Sequence, residues 1–240
     1  DEEYVQCAIE AGLNLLGFSD HAPFSKPFDG YRMEFNELSE YICSLKNLQE
    51  KYKDEIVIRI GFEFEYYEEM SGEIEKLCEL SDYMIVGQHN REFAGQDYGK
   101  CCKDEDLEIY SESVVQAMKK GYADIVAHPD YFMLGRDSWN ESCEKAARKI
   151  ALCSKKLNIP LELNLNGVRY GQHEINGSMK FSYPYREFWE IVEEFQCPVV
   201  MGWDAHDPKL FLDKERVEQV KALVSGLNLN FLEVLDLKRK

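Results

Sequence analysis

The chain has 240 residues and a formal net charge of −17, and 45% of its residues are hydrophobic. This acidic balance would repel a phosphate backbone, and the basic residues are scattered along the chain, so we expect no nucleic acid partner. The longest apolar stretches are only a few residues long, which predicts that no segment spans a membrane.

The sequence shows no Pro/Gly/Ser linker, low-complexity tract or composition break, so we expect one domain over residues 1–240. The chain contains eight cysteines and no CxxC pair. Together with the lack of a signal peptide, this favours reduced thiols in a cytoplasmic protein. No feature of the sequence predicts an oligomeric state.

Apolar periodicity predicts alternating helices and strands along the whole chain. In chain order the predicted elements are helix 2–11, strand 15–18, helix 36–53, strand 56–62, helix 72–80, strand 83–86, helix 104–120, strand 123–127, helix 139–157, strand 161–165, helix 184–195, strand 198–202 and helix 214–225. The segment 231–237 is ambiguous. These six strand-then-helix units with short connections predict a parallel sheet with right-handed crossovers. A closed barrel would need at least one more strand, for which the natural place is upstream of Asp1.

Metal-ligating side chains recur where the apolar runs end. They are His21, Glu63, His89, His128, Asp204 and His206. The carboxyl ends of parallel strands emerge on one face of the fold, so we expect these side chains to converge there. Imidazole and carboxylate groups are the ligands of borderline divalent metals, and the pattern therefore predicts a polynuclear metal site on an α/β barrel.

Several short motifs, weak singly, resemble in their order and spacing the polymerase-and-histidinol-phosphatase (PHP) superfamily of metal-dependent phosphoesterases. They are Ser19-Asp20-His21, Gly61-Phe62-Glu63, Gly87-Gln88-His89, Ala127-His128-Pro129-Asp130 and Trp203-Asp204-Ala205-His206. The run from Leu161 to Arg169 is similar to the E-x-N-x-x-G-x-R segment of the histidinol-phosphatase branch. The resemblance implies a distorted seven-stranded, TIM-like (β/α) barrel with up to three zinc, iron or manganese ions.

By this resemblance, Glu63 bridges two metals, with His89 and His128 completing one site. Asp204 belongs to the second site, and His21 and His206 belong to a third. The first motif of the family, an H-x-H on the first strand, is absent from this sequence. We therefore expect an N-terminally truncated PHP domain with weakened metal occupancy and poor or no turnover.

The resemblance implies hydrolysis of a small phosphorylated substrate, and histidinol phosphate, from histidine biosynthesis, is the leading expectation. Arg136 and Arg169 are the candidates for binding phosphate, and Asp20 and Asp204 for handling protons. We expect the segment 166–183 to be a lid or recognition loop, in which the role of His173 stays open. The alternatives are a PHP phosphoesterase with another substrate, or a degenerate domain that binds metal without catalysis.

Overall fold

A computed structural model describes residues 1–26, 30–232 and 237 of the chain. Seven α-helices lie within these residues: α1 (Glu2–Glu10), α2 (Leu38–Lys51), α3 (Ser71–Leu80), α4 (Asp104–Lys119), α5 (Glu141–Leu157), α6 (Arg186–Phe195) and α7 (Lys214–Leu223). The strands there are β1 (Leu15–His21), β2 (Val57–Phe64), β3 (Tyr83–Val86), β4 (Ile125–Val126), β5 (Leu161–Asn164), β6 (Gln172–Ile175), β7 (Ser178–Phe181), β8 (Pro198–Gly202) and β9 (Asn230–Phe231).

Seven of these strands form one parallel sheet in the order β1-β2-β3-β4-β5-β8-β9. Leu15 of β1 and Val200 of β8 line the same cavity, so the sheet curls toward closure. This confirms the predicted α/β, barrel-like fold. β9 adds a seventh strand to the six predicted ones, and residues 233–236 of the ambiguous segment lie outside the described part of the chain.

Two predicted strands continue further than their apolar runs. β1 continues to His21 and β2 to Phe64, and His21 pairs in register with Glu63. The backbone ladder does not require apolar side chains, so Ser19 and Asp20 extend the strand where the apolar pattern had ended. Two of the predicted ligands therefore lie inside neighbouring strands, at their carboxyl ends.

The segment 166–183 is more regular than the predicted loop. It contains a 3-10 helix (Gly167–Tyr170) and the antiparallel hairpin of β6 and β7. Asn176 and Gly177 connect these two strands, with φ angles of 50° and 74°. Asn-Gly is the preferred sequence of a two-residue hairpin turn, because both of its central residues need positive φ.

The main core lies between the sheet and the helices α3 to α6. Phe62, Val126 and Leu163 from the strands are buried there with Ile150 of α5 and Trp189 of α6. Each helix buries one apolar stripe on the outer face of the sheet. This packing holds the strand ends rigidly and so fixes the side chains that follow them.

Among the described residues, we find no helix of the length and apolarity that crossing a membrane requires.

Candidate metal centre

Three imidazoles surround the carboxylate of Glu63 at the carboxyl end of β2. His128 Nε2 lies 2.9 Å from Glu63 Oε1, and His89 Nε2 lies 3.6 Å from the same oxygen. His21 Nδ1 lies 3.9 Å from Glu63 Oε2. The structure thus brings together four of the predicted ligands, from β1, β2 and the segments after β3 and β4.

Gly87, directly after β3, leaves the space in which Glu63 and His128 meet. A Cβ atom at this position would lie 1.9 Å from Glu63 Oε1 and 3.0 Å from His128 Cε1. No side chain fits there without displacing Glu63. A glycine in the third strand-end motif is therefore required by the geometry of the site itself.

Two of the predicted site residues have a left-handed backbone. His128 has a φ of 27° and Asp204 a φ of 45°, and neither is a glycine. Such conformations cost of order 1–3 kcal/mol and persist where the surrounding structure imposes them, frequently at functional sites. At both strand ends, this backbone geometry accompanies a side chain that lines the central cavity.

The charges in the cluster depend on one another. Burial alone would raise the pKa of Glu63, but the charge of His21 and the hydrogen bond with His128 hold it well below its usual range. Burial alone would lower the pKa of His128, but Glu63 raises it to about 9. Burial lowers the pKa of His21 to about 4. Without metal, the carboxylate of Glu63 is therefore paired with the cationic imidazole of His128.

The donor set fits a divalent metal. One ligand atom from each of His21, Glu63 and His89 lies within 4.8 Å of the other two. His128 Nδ1 is buried and has no hydrogen-bond partner among the described residues. Neutral imidazoles and a carboxylate, held together in a partly buried pocket, suit zinc and similar ions.

Asp204 and His206 lie across the cavity from this cluster and are held by two asparagines. Asp204 Oδ2 accepts from Asn164 Nδ2 at 3.1 Å and from Asn166 Nδ2 at 3.4 Å. His206 Nδ1 lies 3.4 Å from Asp204 Oδ1. Arg216 donates to Asn166 Oδ1 at 2.9 Å, which directs the amide nitrogen of Asn166 toward Asp204.

Glu162 connects the two halves of the site. Its Oε2 accepts from the backbone N–H of His128 at 3.1 Å and from Asn164 Nδ2 at 3.0 Å. Burial raises the pKa of Glu162 to about 7. The polar side chains of β5, Glu162 and Asn164, therefore bond to side chains or backbone on both sides of the cavity.

A cavity of about 470 Å³ opens between these two halves. Its polar lining includes six of the predicted site residues, namely Asp20, His21, Glu63, His128, Asp204 and His206. A cavity of this size is large enough for a small ligand.

The two predicted phosphate-binding arginines lie in different surroundings. Arg169 is exposed, and its guanidinium lies 4.8 Å from the Tyr170 ring centroid and donates to the Tyr170 hydroxyl. Arg136 is buried beside a separate pocket and donates to Cys102 O, Ser138 O and Asp104. Arg136 therefore connects the segments that contain Cys102, Asp104 and Ser138. These contacts offer no support for a role of Arg136 in phosphate binding.

Glu65 is a buried carboxylate beside the cluster that our sequence analysis missed. It accepts from the hydroxyl of Tyr67 at 2.7 Å, from the hydroxyl of Tyr31 at 3.0 Å and from the guanidinium of Arg32. Burial alone would raise its pKa, but the neighbouring ring of His89 and the charge of Arg32 lower it to about 2. The spacing of two residues from Glu63 was the available signal, because alternate strand residues share a face.

The profile of one protein family, described as the PHP domain, matches residues 2–166 of the chain. The histidinol-phosphatase of Bacillus subtilis is 24% identical, over 85% of this chain and 86% of that protein. A probable histidinol-phosphatase of Deinococcus radiodurans is 27% identical, over 86% of this chain and 80% of its own length.

A solved structure shares the fold. The histidinol phosphate phosphatase of Lactococcus lactis, crystallised with zinc, L-histidinol and phosphate, superposes with a TM-score of 0.72. The superposition covers 98% of this chain and 90% of that one, at 19% sequence identity. At this identity the likeness is one of fold.

Proposed function

The chain belongs to the PHP domain family, and we propose that it is a metal-dependent phosphomonoesterase that hydrolyses L-histidinol phosphate to L-histidinol and phosphate. The observation that carries the proposal is the placement of His21, His89 and His128 around the carboxylate of Glu63. Relatives named histidinol-phosphatases, and a structural neighbour crystallised with zinc, L-histidinol and phosphate, support the choice of substrate.

We assign metal binding to six residues, which are His21, Glu63, His89, His128, Asp204 and His206. Divalent ions in such a site lower the pKa of a bound water and neutralise charge on the phosphoryl group. Zinc is the metal of the structural neighbour, and iron and manganese suit the same ligands. We propose that the site binds up to three ions.

The side chains around the cavity have separate tasks in this reaction. In hydrolysis, a water oxygen bonds to phosphorus, the P–O bond to the alkoxide breaks, and the alkoxide takes a proton. Asp20 and Asp204 line the cavity and are the proposed proton carriers for the water and the leaving alkoxide. Arg169 is the proposed ligand for the phosphoryl oxygens, because a guanidinium can donate two parallel hydrogen bonds to them. Arg136 is not part of this proposal.

We also propose a cytoplasmic location, supported by the eight cysteines, all of which are free thiols. Histidine biosynthesis is the pathway that the substrate implies.

The proposal is tested by phosphate release from the zinc-loaded protein. Even if turnover is slow, as the absence of the H-x-H motif predicts, we expect L-histidinol phosphate to be hydrolysed faster than glucose 6-phosphate, AMP or glycerol phosphate at equal concentration. Equal slow rates on all four esters would overturn the substrate assignment and favour a phosphoesterase of another specificity. A zinc-loaded protein that hydrolyses none of them would favour the non-catalytic alternative.

A further inference from the structure

Glu65 lies two residues beyond Glu63 and is 1% exposed. We propose that Glu65 is a positioning residue, which fixes the ring of His89 so that its Nδ1–H faces Glu65 and its Nε2 faces the metal site. This inference rests on the proposed function, because it assigns a role toward the same metal centre.

His89 lies between two carboxylates. Its Nδ1 is 3.3 Å from Glu65 Oε1, and its Nε2 is 3.6 Å from Glu63 Oε1. The Nδ1 contact is close but not aligned as a hydrogen bond, and no other described residue bonds to this buried nitrogen. Because the nearest polar atom is a carboxylate oxygen, which accepts hydrogen bonds, we assign the proton of the His89 ring to Nδ1. The lone pair of the neutral ring then lies on Nε2, on the side of Glu63. A carboxylate behind a ligating histidine orients the ring in this way in many metal sites.

The carboxylate of Glu65 is itself held in place. Arg32 and Tyr67 donate to its Oε2, while Tyr31 and Asn90 donate to its Oε1, at 3.0 and 3.3 Å. The side chains of Glu65 and Arg32 are 2% and 3% exposed, so the ion pair is shielded from water. With donors on both oxygens, the carboxylate cannot rotate away from His89 without breaking several hydrogen bonds.

The same carboxylate also affects His21. The Tyr31 hydroxyl is bonded to Glu65, and the Tyr31 ring centroid lies 4.4 Å from that of His21. Arg32 extends the connection, since it donates to the backbone carbonyl of Ala22. Glu65 therefore fixes His89 directly and restrains His21 through the segment that follows β1.

The first test measures zinc affinity by competition with a chelator. We expect Glu65→Gln to weaken zinc binding on the order of 10–100-fold. The amide can face Nδ1 with its oxygen or with its NH2 group, so it does not fix the tautomer of His89, and it carries no charge to pair with Arg32. Asp106→Asn is the matched control. Asp106 is also 1% exposed and accepts from an arginine, Arg91, at 2.7 Å, but it is bonded to none of the histidines. Its zinc affinity should equal that of the wild type.

Wild-type zinc affinity in Glu65→Gln would overturn the proposal. A wild-type protein that binds no zinc would count against the proposed function, and the two failures are therefore distinguishable.

The second test needs no variant. Long-range ¹⁵N–¹H spectra of the zinc-loaded wild-type protein report which ring nitrogen of His89 carries the proton. We expect the proton on Nδ1. A proton on Nε2, with zinc bound through Nδ1, would overturn the assignment even if Glu65→Gln did not fold.

Discussion

His128 Nε2 lies 2.9 Å from Glu63 Oε1, although the two residues are 65 positions apart and their strands, β2 and β4, are separated by β3. The two side chains meet across the end of β3, where a residue with a side chain would stand between them. Gly87 provides that gap, because a Cβ there would contact both partners at 3.0 Å or less. The centre of the site thus depends on a residue that contributes no ligand.

We predict that Gly87→Ala weakens zinc binding without removing any ligand. The added methyl group displaces Glu63, and overpacking of this kind costs about 1–3 kcal/mol. Zinc affinity should fall on the order of 10–100-fold. Gly72→Ala is the control, since nothing lies within 4 Å of a Cβ at that position in α3. Unchanged zinc affinity in Gly87→Ala would contradict the packing account.

Zinc binding at pH 7 should release a proton from His128. The pKa of His128 is raised to about 9 in the metal-free protein, so its ring is cationic at pH 7. Zinc binds only the neutral ring, and affinity should therefore increase with pH until about pH 9. Titration calorimetry in two buffers of different ionisation enthalpy measures the release, expected to be about one proton. Identical heats in both buffers would refute this prediction.

The two arginines should respond differently to replacement by methionine. Arg169→Met should raise KM for the phosphate ester by roughly 10–100-fold with zinc content unchanged, because hydrogen bonds to charged groups contribute about 1.5–3 kcal/mol. Arg136→Met should instead lower the melting temperature, since it leaves the carbonyl of Cys102 without its donor. The reverse pattern would restore Arg136 as the phosphate ligand. Steady-state kinetics and thermal unfolding of both variants make the comparison.

Adjacent cysteines should differ sharply in reactivity. Cys101 is exposed, whereas Cys102 is buried, and burial raises its pKa to about 12. A brief iodoacetamide treatment at pH 8 should therefore label Cys101 and the exposed Cys43 but leave Cys102 unmodified. Peptide mass spectrometry of the labelled protein distinguishes the neighbours. Equal labelling of Cys101 and Cys102 would contradict the burial of Cys102.

The parallel sheet and the convergence of His21, Glu63, His89 and His128 could be predicted because apolar runs mark buried parallel strands. Strand lengths could not, since hydrogen bonding continues through Ser19 and Asp20 regardless of polarity. The hairpin of β6 and β7 is predictable from Asn176-Gly177, whereas the abundance of Gly, Asn and Ser in this segment taken together predicts a loop.

Individual hydrogen bonds between residues that are far apart in the chain could not be predicted from the sequence. Nothing local distinguishes Arg136 from Arg169, and only the fold brings Cys102 and Asp104 to one of them. The same holds for Glu65, whose donors Arg32 and Asn90 lie 33 and 25 positions away in the chain. A carboxylate can be buried only where partners compensate its charge. Because the tertiary structure brings these partners together, the local sequence does not show which carboxylates are buried.

We propose that Glu63 holds the metal on which phosphate ester hydrolysis depends. The most direct measurement compares zinc content and phosphate release from L-histidinol phosphate in the wild-type protein and in Glu63→Gln. We expect the variant to lose zinc and hydrolysis together, because an amide cannot supply the anionic ligand that the three imidazoles surround. A Glu63→Gln protein that keeps wild-type zinc content and wild-type hydrolysis would contradict this proposal.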